Sequence, residues 1–385
     1  MIHPGHIRAF SAAAVILLLT SCVKSGIEYD TSKEDVTIAP VVSVATKSVP
    51  GPVTGTTYPQ AETMGILAFH HQSYGAGQWG DPAGAQAYIG DVAGSKGGEF
   101  GYHSSYGSWA GLKDGAHFPY HWPDKGSLIF AGYSPYRRIG YDHNLVDVGN
   151  VSFDVAERKL SIIDYRVGRY VPMTKEQIQS PDYVYENVAQ SDLMFFMPTM
   201  VDGRYVGVNH MASFPARFHH ALSMIEFTVR AEDDYDIDRM DLDKVTVNSV
   251  YHEGDFNAVL QDDGSFVAEW TGLRETDNMD VFHAHEIAED EDGLELFLKP
   301  RTIAQMLVIP GPAHPIEVVC HIHVNDRLHT QTLEFTPEQL GITEWEMGKR
   351  YVYNLILGLK KITFAPDTYE WNNIDEGGQG AQLNF

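Results

Sequence analysis

Apolar and polar residues alternate in short runs along most of the chain, which is the pattern of β-strands with one buried face. Turn residues separate the runs about every eight to twelve residues, and Gln261–Ser265 carries a hairpin signal. This spacing, without a sustained helical pattern, predicts an all-β fold of sandwich type. The clearest alternating faces contain Ala221, Ser223, Ile225, Phe227 and Val229, then Leu294, Leu296 and Leu298, then Tyr351, Tyr353, Leu355, Leu357 and Leu359.

Two short segments are predicted to be helical instead. Thr174 can cap a helix over Met173–Gln179, with Gln177 as its reciprocal partner. Thr336–Gln339 offers a second helix start, with proline at the first helical position.

The N-terminus has the features of a secretory signal. Arg8 precedes an apolar run from Ala12 to Leu19, which is too short to span a bilayer as a helix. Small residues then lead into Cys22, as in substrates of the peptidase that cuts before a lipid-modified cysteine. We therefore predict a lipoprotein signal peptide over residues 1–21 and acyl chains such as palmitate on Cys22. A stray cysteine at the end of an ordinary signal peptide is the alternative.

Composition narrows the classes of partner. The chain has 27 Lys and Arg against 52 Asp and Glu, for a formal charge of −25, which argues against nucleic acid and anionic lipid headgroups. Only two cysteines occur. Cys320 shares one face of an alternating strand over Pro315–Val324, so we interpret it as a small core residue, not a nucleophile.

The segment from Ser73 to Gly115 is rich in glycine and aromatic residues. One interpretation is a ligand-binding loop in which Trp79 and Trp109 stack against glycans. The other, which we favour, is a β-rich surface with long connections whose aromatic side chains pack into the core.

No pattern predicts catalysis, a metal site or a cofactor. The histidine pairs in the sequence lack a third metal ligand at an informative spacing. Asp234, Asp236 and Asp238 match the start of a calcium-binding loop, but Arg239 and Val245 do not match its later positions. The sequence contains no Gly-x-Ser-x-Gly motif, Walker sequence or dinucleotide fingerprint. The histidine pairs are His219 with His220, His283 with His285, and His321 with His323.

Residues 23–57 are interpreted as an extended leader in which Val36–Val44 can form a strand. We place a domain boundary near residue 210, where Gly203–Ser213 separates two strand-rich halves.

Four groups of segments, taken in order, carry a family resemblance. They are Val44–Gly55 with Met64–Phe69, Tyr120–Pro135, Asp192–Phe196 with Phe218–Phe227, and Trp345–Asn354 with Ile362–Pro366 and Trp371. Their order and spacing resemble the fimbrillin family, the lipoprotein-derived type V pilins of Gram-negative outer membranes, in a minor-fimbrium-like branch.

The resemblance implies two tandem transthyretin-like Greek-key β-sandwich domains, here over residues 48–210 and 211–385. It also implies that a surface protease removes the leader, residues 22–47, together with its first strand. A strand of a neighbouring subunit then fills the opened groove. Family members matured by an arginine-specific protease carry Arg at the cut, whereas this chain has Lys47 before Ser48, so we expect a protease of different or broader specificity.

The expected donor strand lies within residues 362–385, with Ile362, Phe364, Leu383 and Phe385 as the side chains that would fill the groove. The resulting expectation is a stalk or tip subunit of cell-surface fimbriae that polymerises by donor-strand exchange and mediates adhesion. Its partners would be other fimbrial subunits, the maturation protease and the outer membrane through Cys22. The alternatives are a non-polymerising pilus anchor that keeps its leader, and a monomeric outer-membrane surface lipoprotein that binds glycans.

Overall fold

A computed structural model describes residues 34–44, 55–90, 96–139, 144–173, 178, 190–231, 239–283, 294–295, 300–324, 327–358 and 362–370. The predicted signal peptide, Cys22, Lys47 and Ser48 lie outside the described residues. So do Leu383, Phe385, and Asp234, Asp236 and Asp238.

The described residues form an almost entirely β structure, which confirms the predicted class. The first strands are β1 Thr37–Val44, β2 Gly55–Thr57, β3 Met64–His71, β4 Gly77–Gln78, β5 Gln86–Ile89, β6 Gly98–His103, β7 Ser108–Lys113, β8 Ala116–His117, β9 Ser127–Ser134, β10 Arg137–Ile139, β11 Leu145–Asp147, β12 Asn150–Asp154, β13 Lys159–Arg166 and β14 Met194–Phe196. They continue with β15 Met200–Val201, β16 Arg204–Gly207, β17 Phe214–His220, β18 Ser223–Ala231, β19 Arg239–Leu260, β20 Phe266–His283, β21 Leu294–Glu295, β22 Arg301–Val308, β23 Gly311–Pro312, β24 Ile316–Val324, β25 Arg327–Phe335, β26 Glu344–Trp345, β27 Lys349–Leu357 and β28 Ile362–Glu370.

The main sheet of the first half closes into a ring. Its strands follow the order β1, β17, β14, β9, β3, β6 and β7, and β7 pairs again with β1. Closure removes the free sheet edges that an open sheet would expose. Strand β1 completes this ring, because it joins β17 on one side and β7 on the other.

Strand β9 shows why part of the sequence is continuously apolar. Leu128 and Phe130 face the core inside the ring, whereas Ile129 and Ala131 face a second core on the outer side. The second core is covered by the sheet of β12, β13 and the C-terminal part of β19. A strand buried on both faces does not alternate.

The second half is a sandwich of two sheets. One has the order β22, β18, β27, β28, and the other contains β19, β20, β24 and β25. Alternate residues of facing strands, such as Ile225, Phe227 and Val245, fill the core between them. Cys320 lies fully buried in this core, as predicted, and burial raises the pKa of its thiol to about 11.

Strand β19 connects the two halves. Its N-terminal part pairs with β24 and contributes Val245 to the sandwich core, and its C-terminal part pairs with β13 and contributes Phe256 to the second core. The predicted boundary near residue 210 falls just before β17, which belongs to the closed ring. The two halves therefore share buried structure across that boundary.

The structure describes two of the predicted local elements completely and a third in part. The helix at Thr336 is confirmed as α1, Pro337–Leu340, with the predicted capping box between Thr336 and Gln339. The hairpin at Gln261–Ser265 is also confirmed, with Gly264 at a φ of 85°. Of the helix predicted over Met173–Gln179, Ile178 is helical, and residues 174–177 and 179 lie outside the described residues. No helix in the described part of the chain is long and apolar enough to cross a membrane.

Candidate functional site

The candidate functional site is the groove that the predicted leader strand occupies. The alternation predicted over Val36–Val44 is realised as β1, and Val36, Ile38 and Val42 are each at most 1% exposed. They lie in the core inside the ring together with Trp109 and Phe218. A segment predicted to be removable therefore supplies part of the core.

Backbone hydrogen bonds hold the leader strand on both sides. It runs parallel to β17, with Ile38 opposite Phe214 and Val42 opposite Phe218. On the other side the Val36 amide donates to the Tyr120 carbonyl at 2.6 Å, and the Trp122 amide donates to the Glu34 carbonyl at 2.9 Å.

One leader side chain adds a polar contact within the groove. The Thr37 hydroxyl donates a hydrogen bond of 2.8 Å to the Ala212 carbonyl, and Thr37 itself is 3% exposed. This contact fixes the position of the strand along its axis, because a shift of one residue would turn the hydroxyl to the opposite face.

The walls of the groove are aromatic. Tyr58 packs edge-on against Trp109 with ring centroids 5.3 Å apart, and Phe130 lies 4.6 Å from Phe214. Removing β1 would expose these rings, together with the unpaired edges of β7 and β17. Each buried aliphatic side chain of the leader is worth about 1.5–3 kcal/mol of burial.

The N-terminal end of the leader strand lies among histidines. The Asp35 carboxylate is 3.1 Å from Nδ1 of His121 and 3.5 Å from Nε2 of His117, and it accepts a hydrogen bond of 2.7 Å from the Tyr106 hydroxyl. The neighbouring Glu34 carboxylate is 3.5 Å from Nδ1 of His210.

The middle of the leader strand, at Val41, borders an open cavity of about 460 Å³. Val41, which is 43% exposed, lines it together with Phe196, Phe266 and His219. Burial, with smaller contributions from Arg217 and His220, lowers the pKa of His219 to about 4. His219 is therefore neutral at physiological pH and can contact apolar neighbours.

The predicted cleavage site falls between two paired strands. Residues Lys47 and Ser48 lie outside the described residues, but Val44 at the end of β1 is paired with Gly55 at the start of β2. The two residues that flank the connection between β1 and β2 therefore lie opposite each other in the sheet.

The predicted donor residues Ile362 and Phe364 belong to β28. They lie opposite Leu357 and Leu355 of β27, and within the described residues β28 pairs with β27 alone. This strand thus forms one edge of the second-half sandwich in its own chain.

A short internal likeness escaped the sequence analysis. Val36-Thr-Ile-Ala-Pro40 and Ile362-Thr-Phe-Ala-Pro366 share threonine, alanine and proline at the same places, with an aliphatic or aromatic residue at the other two. The two segments are the leader strand and the start of β28. Comparing the predicted leader strand with the predicted donor strand residue by residue would have found this signal.

The two tryptophans considered for glycan stacking are core residues. Trp79 is 1% exposed and donates to the Ser127 hydroxyl at 2.8 Å, and Trp109 is 7% exposed and donates to the Glu62 carbonyl at 3.2 Å. Neither indole presents an open face, so the core interpretation of these aromatics is the one that the structure supports.

One histidine of each of two pairs has a local partner, and His285 of the third pair lies outside the described residues. His220 is buried and contacts Asp192 at 2.9 Å, and His321 hydrogen-bonds to Thr330 at 3.0 Å. Among the described residues, no group of three or more His, Cys, Asp or Glu side chains is placed to hold a metal ion.

A family model and solved structures match this chain. The model of a family described as fimbrillin-like matches residues 93–371, which is more than half of the chain. Among solved structures, a fimbrial protein from Bacteroides vulgatus is similar, with a TM-score of 0.52, 13% identity, and coverage of 87% of this chain and 99% of that one. At this identity the likeness shows the fold alone.

A candidate cell adhesion protein from Bacteroides ovatus has a TM-score of 0.44, 15% identity, and coverage of 89% of this chain and 99% of its own. No curated protein matches the chain.

Proposed function

Because the chain belongs to the fimbrillin-like family, we propose that it is a structural subunit of cell-surface fimbriae that mediates adhesion and has no catalytic role. In this proposal the protein travels as a lipoprotein acylated at Cys22 and is cut between Lys47 and Ser48. A strand of another subunit then replaces its leader strand.

The observation that carries the proposal is the position of β1. This strand closes the ring between β7 and β17 and places Ile38 and Val42 in the core, next to Val36 just before it. Its loss would leave an apolar groove and two unpaired sheet edges, a combination that readily accepts an added strand. The joint would gain several backbone hydrogen bonds of about 0.5–1.5 kcal/mol each.

We propose that β28 of a second copy supplies the replacement strand. The internal likeness places Ile362 where Val36 lies, Phe364 where Ile38 lies, and Thr363 where Thr37 donates to Ala212. A hydroxyl at the same place would keep the same register. Leu383 and Phe385 stay further candidates beyond this strand.

The proposal can be tested with the full-length chain. A specific protease site inserted between Lys47 and Ser48 allows the leader to be cut at the predicted position. We expect the uncut protein to remain a single subunit and the cut protein to form fibres visible by electron microscopy. Adding a synthetic peptide of residues 362–370 in excess should cap the groove and shorten the fibres.

Two other outcomes would change the assignment. Cut protein that sheds its leader yet stays a soluble single subunit contradicts strand exchange. Cut protein that keeps its leader in the groove favours the pilus-anchor alternative.

A further inference from the structure

We propose that His117, His121 and Tyr106 form a carboxylate-binding cleft that holds the leader strand through Asp35 and favours it over a lysine-bearing replacement. The inference rests on the proposed function, because it concerns which strand occupies the groove.

The cleft is built from separate elements of the ring. Tyr106 lies in the turn between β6 and β7, His117 lies on β8, and His121 forms an isolated bridge with Asp35 itself. Their polar atoms lie 2.7, 3.5 and 3.1 Å from the Asp35 carboxylate oxygens, and the Asp35 side chain is 13% exposed. A largely buried carboxylate that accepts a hydrogen bond from a tyrosine hydroxyl and lies close to two imidazoles is a defined site and not a solvated surface acid.

The surrounding titratable groups reinforce the polarity of the cleft. His103 packs against both His117 and Tyr106, with ring centroids 4.9 and 4.8 Å away. Next to the cleft, Glu34 faces His210 at 3.5 Å. The contacts at this end therefore set two leader carboxylates against histidines and a tyrosine hydroxyl.

The proposed replacement strand reverses the charges. With Ile362 at the place of Val36, the residues that correspond to Glu34 and Asp35 are Lys360 and Lys361. Ammonium groups cannot accept the hydrogen bond that the Tyr106 hydroxyl donates, and they carry the charge opposite to that of the leader carboxylates. The cleft therefore discriminates by charge between two strands with nearly the same apolar pattern.

The test measures leader release from the whole protein. The chain with the inserted protease site is cut, a fluorophore reports the cut leader, and excess unlabelled peptide of residues 34–44 prevents rebinding. We expect leader release from Asp35→Asn, and from the double variant His117→Gln with His121→Gln, to be about three- to tenfold faster than from the parent chain, because polar contacts to a partly buried carboxylate are worth on the order of 1 kcal/mol. His321→Gln, remote from the groove, serves as the matched control and should release its leader at the rate of the parent chain.

A second measurement leaves the protein unchanged. Peptides of residues 34–44 with their natural sequence, or with Glu34→Lys and Asp35→Lys, compete for the groove. The natural peptide should compete better. Release and competition that do not depend on these side chains would overturn the cleft while leaving strand exchange intact. A leader that never leaves the groove would instead contradict the proposed function as well.

Discussion

Ile38 lies opposite Phe214 in the parallel pairing of β1 with β17, and both side chains are buried in the core inside the closed ring. The pairing joins residues that are far apart in sequence. It makes the leader a structural part of the first half and gives a direct way to test how much the leader contributes to stability.

Ile38→Ala should lower the free energy of unfolding of the uncut chain by about 2–5 kcal/mol, because the substitution leaves a cavity in the ring core. Urea denaturation followed by tryptophan fluorescence measures the change. Val41→Ala on the same strand is the matched control, since Val41 is 43% exposed, and it should cost less than about 1 kcal/mol. Equal effects of the two substitutions would show that β1 is not anchored through its buried face.

Phe256→Ala should destabilise both halves together. Phe256 lies in the core between the ring and the β12–β13–β19 sheet, and the same strand continues into the sandwich core. We expect a loss of about 3–5 kcal/mol and one common unfolding transition. Hydrogen exchange at amides of β9 and β27 would check this, and protection lost in only one half would contradict the coupling.

Arg274 should make the free energy of unfolding depend on pH in the acidic range. Hydrogen bonds from Arg166 and then Arg274 hold the pKa of Glu253 below its usual range, and the pKa of Asp255 is lowered by the Asp164 amide and then by Arg274. Carboxylates with a lowered folded pKa stabilise the protein above their usual pKa of about 4, and this stabilisation is lost as the pH falls.

Arg274→Gln should therefore be less stable than the parent chain near pH 7, and the two should converge as the pH falls toward about 3. Urea midpoints across this range measure the difference. Lys125→Gln is the control, because its side chain takes no part in the Arg274 network. A stability difference between the two chains that stays constant with pH would show that packing of the aliphatic part of the Arg274 side chain is responsible.

Cys320 should be unreactive in the folded protein. It is fully buried, and burial raises the pKa of its thiol to about 11, so both access and thiolate are lacking at neutral pH. In a Cys22→Ser chain we expect iodoacetamide to label the thiol only after urea unfolding, as read by mass spectrometry. Rapid labelling of the native chain would contradict the packing of β24.

Local patterns predicted several elements well. The alternation of β1, the capping box at Thr336 and the buried face that holds Cys320 each depend on residues close together in sequence. The donor segment that the family resemblance implies begins on a strand, β28, and the role of Ile362 and Phe364 as donor side chains stays a prediction.

Contacts between distant residues were not predictable in the same way. The parallel pairing of β1 with β17, and the return of β19 to the first half, depend on which buried faces meet after folding. The histidines around Asp35 were missed for the same reason, because His117, His121 and Asp35 approach one another only when β1 enters the ring.

The continuity of β19 has a mechanical consequence. One unbroken strand is hydrogen-bonded into the sandwich through β24 and into the first half through β13. A pulling force on either half is therefore carried by a strand that is hydrogen-bonded into both halves, so we expect the two halves to resist bending relative to each other.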